Sequence, residues 1–135
     1  MSQVLIRAAL ETALATLSPA LATSYENKAF KPPAQATPYQ AVYMRFAKPE
    51  NVEQGGGYNE IGYMQVTLFY PQTEGPTNAA ARAKMIRDLF KKATAFTSGG
   101  VKAVVTATPE IGNGTEDGDR WALAVKIPFM AQIYT

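Results

Sequence analysis

The sequence predicts an α+β fold: a single, mainly antiparallel sheet of about four strands with two helices packed on it, forming one domain over residues 1–135. Three observations lead there. Two segments carry apolar residues at helical spacing, others alternate as strands do, and 135 residues is the length of one ordinary domain, able to bury about two-thirds of its unfolded surface. Hydrophobic residues at 47% and charged residues at 18% exclude a disordered, solvating chain.

Ile6, Leu10, Leu14 and Leu17 share one helical stripe, which predicts a helix from Ser2 to Ser18, with Ser2 as its cap and Pro19 as its stop. Its other faces are mostly alanine, a poor solvent surface, so a neighbouring subunit or the second helix is expected to cover part of them. Residues 4–21 are apolar, but Arg7 and Glu11 interrupt them and Pro19 ends them short of the roughly 20 uninterrupted residues of a membrane span. The small residues Ala20-Leu21-Ala22 would suit a signal-peptide cleavage site. Against that, Glu11 sits inside the apolar run and no basic cluster precedes it, so a cytoplasmic product is expected.

The stretch from Tyr25 to Pro33, closed by Thr37-Pro38-Tyr39, follows no regular period. Pro32 and Pro33 each fix φ, remove a backbone donor and push the preceding residue toward extended geometry. The expected result is a stiff arm offering rigid apolar contact. It either lies across a neighbouring subunit or tucks its aromatics into the chain's own core, and Tyr25, Phe30, Pro32 and Pro33 are the candidate contact residues.

Tyr39 to Ala47 and Asn59 to Tyr70 read as strands joined by a mobile hairpin from Lys48 to Tyr58. In the second strand Met64, Val66, Leu68 and Tyr70 share one face and Ile61, Tyr63, Gln65, Thr67 and Phe69 the other, so it is expected to be central and partly covered on both sides. Gly55, Gly56 and Gly57 are not a phosphate cradle: they lead into Tyr58-Asn59-Glu60 and a strand, and the flanking glutamates would repel phosphate.

Pro76 to Thr94 predicts the second helix, capped by Thr77 or Asn78, with Ala79, Ala83, Ile86, Phe90 and Ala93 along its inner face. Its other face carries Arg82, Lys84, Arg87, Lys91 and Lys92 against Asp88 alone, while the rest of the chain is slightly negative. No aromatic side chains interleave with these charges, and Lys84 with Asp88 and Asp88 with Lys92 have the spacing of helix-stabilising pairs. A solvated or subunit-facing helix is the reading.

Val101 to Ala107 and Arg120 to Ile133 are the remaining strands, and Pro128 should put the last one at an edge or bend it. Between them Glu110, Glu116, Asp117 and Asp119 lie among glycines. Their order does not match an EF-hand calcium loop, and a flexible loop would not hold paired carboxylates at the fixed separation glycoside chemistry needs. A solvated hairpin loop is expected, and with residues 48–58 it should be the least ordered part of the free subunit.

The chain has no cysteine and no histidine, which removes disulfides, thiolate chemistry, the commonest metal ligand and the neutral-pH general base. The formal charge of +2 does not by itself indicate a nucleic-acid partner. No cofactor, metal or catalytic role is expected.

The order of these features carries a resemblance. An N-terminal helix precedes Tyr25-x-Asn27-x-x-Phe30-x-Pro32-Pro33. Thr37-Pro38-Tyr39 then leads into a strand, Gly55 to Gly57 into a second strand with Gly62 and Tyr70-Pro71, and the chain passes Gly75, Ile86 and Phe90 to Ile127-Pro128-Phe129. Over nearly its whole length the chain resembles the tail terminator (tail-completion) family of long-tailed bacteriophages. The resemblance implies a structural virion protein made in the host cytoplasm. It would form a ring, usually sixfold in the family, that caps the head-proximal end of the tail tube, stops its elongation and docks the head. The implied partners are further copies of the chain, the tail tube protein and the head-tail connector or neck protein, with DNA only in transit through the ring lumen and no membrane.

Closed cyclic symmetry requires two different patches to meet. The arm residues Tyr25, Phe30, Pro32 and Pro33 are expected at such a contact, with the basic residues Arg82, Arg87 and Lys91 facing acidic patches that include Glu53 and Asp117. A neck or head-completion adaptor shares small size and absent catalytic residues. A nucleic-acid-binding module would instead show binding that falls steeply with salt.

Overall fold

The computed structural model describes residues 2–26, 28–34, 37–51, 56–72 and 75–134. Helix α1 (Ser2–Leu14) opens the chain, followed by strands β1 (Ala22–Tyr25), β2 (Tyr39–Phe46) and β3 (Tyr58–Pro71) and helix α2 (Thr77–Leu89). Strands β4 (Ala95–Ser98), β5 (Val101–Val105), β6 (Glu110–Ile111), β7 (Thr115–Asp117) and β8 (Arg120–Ile133) complete it.

The class is α+β, but the sheet is larger than expected and mixed. Among the described residues it holds eight strands in the order β1-β2-β3-β8-β5-β4, with β6 and β7 also on β8. The long antiparallel ladders match the alternation in the sequence: Met64 lies opposite Met44 on one side and Ile127 on the other. The additional strands are short. β1 pairs parallel to β2, with Ala22 opposite Tyr39, and β4 folds back on β5 through a turn at Gly99 and Gly100, whose φ values are +54° and +83°. A two-residue hairpin turn with positive φ at both positions favours glycine at each, which enters that region without strain. Residues 110–119 are likewise not a free loop. β6 and β7 run along β8, with Ile111 opposite Val125 and Thr115 opposite Ala122.

Pro128 is not on an edge strand. β8 is flanked by β3 throughout, and its other side is taken by β5 up to Phe129 and by β6 from Lys126. The Pro128 carbonyl accepts from Thr106 N–H on that second side, so its missing donor faces the gap where the chain leaves β5 and has not yet reached β6.

Both helices pack on one face. Ile6, Leu10 and Leu14 of α1 and Ala79, Ala83, Ile86 and Phe90 of the α2 segment form one core with Val42, Met44, Met64, Val66, Leu68, Ala103, Val105, Val125, Ile127 and Phe129. Burying each large side chain contributes about 1.5–3 kcal/mol. The opposite face of β3, from Ile61 to Phe69, is only half-buried and has no helix against it among the described residues. The alanine face of α1 turns toward β4: Ala8, Thr12 and Ala13 line a groove with Phe96 and Thr97.

Both helices end earlier than expected. Thr16 sends both its backbone N–H and its hydroxyl to the Ala13 carbonyl, and Leu17 N–H bonds to Leu14 O, a tightened turn that closes α1 before Pro19. α2 stops at Leu89, with Ala93 at φ +73°, exposed and bonded to Val105 O, so Ala93 belongs to the start of the β4 hairpin and not to the helix face. Neither Thr77 nor Asn78 is the cap; Pro76 takes that position.

Candidate interaction surfaces

The aromatic-proline arm lies on its own sheet. Phe30 sits 5.5 Å from the Tyr39 ring, which stacks at 4.6 Å on Phe69. Arg120, at the start of β8 and 7% exposed, holds the arm from beneath. Its guanidinium donates to the carbonyls of Pro33 (2.8 Å), Ala34 (3.0 Å) and Thr37 (2.8 Å) and lies 4.7 Å from the centre of the Tyr39 ring. Three carbonyls converging on one planar cation suit the donor fork of arginine, and the Ala34 carbonyl also accepts from the Thr37 N–H at 2.8 Å. Phe30 and Pro33 are half-buried and Pro32 is exposed. Tyr25 is separate from these. It ends β1 opposite Val42 and packs against the core.

A second cluster ties α1 to the edge of the sheet. Glu26, next after β1, accepts from Arg7 Nη1 at 3.0 Å and from the Met44 N–H at 2.5 Å, with Arg45 at 3.7 Å. Burial pushes the Glu26 pKa up, but the Met44 N–H and the two arginines outweigh it and hold the carboxyl below its usual range. Glu11 behaves oppositely. Burial lifts its pKa, Arg7 at 3.6 Å compensates only in part, and its Oε2 has no hydrogen-bond donor. No spacing in the sequence pointed to Arg120 or Glu26, since their partners lie far away along the chain, whereas Glu11 has Arg7 one helical turn before it and only its burial was not legible.

The basic face of α2 is smaller than the sequence suggested. Arg82 does not point outward: it is 4% exposed, donates to the Pro19 carbonyl at 2.6 Å, and burial lowers its pKa. Arg87 is half-buried and donates to the Pro109 carbonyl at 3.0 Å. Lys84 pairs with Asp88 at 2.8 Å, as the spacing predicted, and this bond holds Asp88 below its usual pKa. Lys92 lies beyond the helix and forms no pair with Asp88 among the described residues. That leaves Lys91 and Lys92 exposed just past the C-terminal end of α2. Glu116, Asp117 and Asp119 are exposed on the β7–β8 hairpin, where Glu116 lines a groove with Gly75 and Pro76 at the opposite end of α2. Glu53 lies outside the described residues.

Among the described residues no group of three acidic side chains is placed to hold a metal ion, and no helix is long and apolar enough to cross a membrane.

Comparison with known proteins agrees with this architecture. No curated protein matches the chain. One solved structure shares 29% identity with it at a TM-score of 0.79, over 100% of this chain and 99% of that one. A chain from the virion of a native gene transfer agent particle superposes with a TM-score of 0.71 at 13% identity, covering 98% of both chains, a likeness of fold. The sequence profile described as "Phage tail terminator protein" matches residues 5–129, so the chain belongs to the phage tail terminator family, whose members are structural proteins of the virion.

Proposed function

We propose that this protein is the ring-forming subunit that caps the head-proximal end of a phage tail tube, ends its elongation and presents the docking surface for the head. The family match over residues 5–129 carries this reading. The chemistry is noncovalent and involves no catalysis. The ring, sixfold as is usual in the family, contacts the tube protein on one side and the head-tail connector or neck protein on the other, and DNA crosses its lumen without being read. The arm at Phe30, Pro32 and Pro33 braces a subunit contact, clamped by Arg120 so that the exposed Pro32 presents a rigid edge.

The experiment is deletion of the gene in its phage, with electron microscopy of the tails. Tubes of unregulated length without heads, restored to normal length and head attachment by the wild-type gene, are expected. Tails of normal length joined to heads without the protein would overturn the proposal.

A further inference from the structure

Helix α2 separates two exposed patches of opposite charge. At its C-terminal end Lys91 and Lys92 are exposed, while Asp88 is engaged by Lys84. At its N-terminal end the β7–β8 hairpin brings Glu116 beside Pro76, with Asp117 and Asp119 on the same turn. Thirteen helical residues lie between, which at 1.5 Å each puts the patches roughly 20 Å apart. That exceeds two Debye lengths at physiological salt, about 8 Å each, so neither patch neutralises the other within one subunit. No ion pair to either patch occurs among the described residues.

The acidic hairpin is also held in place. Gln72, just after β3, donates from its side chain to the carbonyls of Gly118 (2.8 Å) and Arg120 (3.3 Å). Arg120 in turn is fixed by the arm. The carboxylates therefore project from a braced turn, and the lysines from the end of a helix whose inner face is fully buried.

We propose that successive copies of this chain meet head to tail through these patches, with Lys91 and Lys92 of one copy against Glu116, Asp117 and Asp119 of the next. The proposal rests on the ring reading above and names the contact that orients it. Two unlike patches on one surface are what a heterologous, closed ring requires, and like-charge repulsion excludes the reversed pairing of lysines with lysines. Arg82 and Arg87 take no part, because each is committed to a carbonyl of its own chain.

Charge exchange tests it. A Lys91→Glu/Lys92→Glu variant and a Glu116→Lys/Asp117→Lys variant should each remain folded by circular dichroism, since all four side chains are exposed. Each should self-associate at least about 10-fold more weakly than the parent in sedimentation velocity at low salt, and the difference should shrink as salt rises. The chain carrying all four changes, and an equimolar mixture of the two variants, should assemble again. Unimpaired assembly of either folded variant, or failure of the fourfold variant, would overturn the contact while leaving the ring reading intact. A parent chain that stays monomeric beside its tail tube would overturn both. Loss of DNA retention with unchanged self-association would make the lysines a nucleic-acid contact and also overturn the proposal.

Discussion

Replacing Arg120 by methionine should release the aromatic-proline arm. The guanidinium donates three hydrogen bonds to arm carbonyls at 2.8–3.0 Å and lies over Tyr39, and methionine keeps most of the apolar stem but none of these contacts. Hydrogen bonds from a charged donor are worth about 1.5–3 kcal/mol each, but arm carbonyls freed at the surface regain water, so about 1 kcal/mol per bond is the better figure. With a little under 1 kcal/mol for the cation over the ring, the total loss is roughly 4 kcal/mol. For a domain of this size that lowers Tm by about 10–15 °C. Arg120→Lys keeps the charge and cannot span three carbonyls, so it should lose about half as much. Urea unfolding gives the global figure. Trypsin gives the local one, because Lys28 is exposed and cleavable whereas Lys31 precedes Pro32 and resists cleavage. Cutting after Lys28 should accelerate up to about 1000-fold in Arg120→Met if the arm opens locally. A variant within about 0.5 kcal/mol of the parent, cut at the parental rate, would show that the Phe30–Tyr39–Phe69 stack holds the arm without the arginine.

Two further expectations concern the core and its electrostatics. Burial raises the Glu11 pKa, so its contribution to stability is complete below the unfolded-state value of about 4.3 and is lost as pH rises through the folded-state value. Glu11→Gln should therefore raise Tm near neutral pH and match the parent near about pH 3, and a Tm scan across pH in which the variant is the less stable at neutrality would refute the assignment. Gly62→Ala should cost more than about 3 kcal/mol in urea unfolding, because its Cβ would meet the Arg45 carbonyl oxygen, part of the neighbouring strand's backbone; a loss below about 1 kcal/mol would show that β2 can yield there.

Period and composition were enough to read the parts of this protein in which one chemistry repeats over many residues. The stripe Ile6, Leu10 and Leu14, the alternation of Met64, Val66 and Leu68, and the inner face of α2 are all buried as their spacing requires, because a long amphipathic segment has one way to hide its apolar side. The ordered run of weak motifs also sufficed to identify the family. Tertiary structure decided what short segments do. β1, β4, β6 and β7 have two to four residues each, too few to show a period, and they are strands only because a neighbouring strand offers unpaired backbone groups. It also decided which charges face water. Arg82 and Lys91 look alike on a helical wheel, yet Arg82 lies against the turn at Pro19 and is buried by it, while Lys91 lies past the helix end in the open. Arg120 reads as an ordinary strand residue and becomes the clamp of the arm because carbonyls more than eighty positions away in the chain converge on it, and local sequence carries no record of such a meeting.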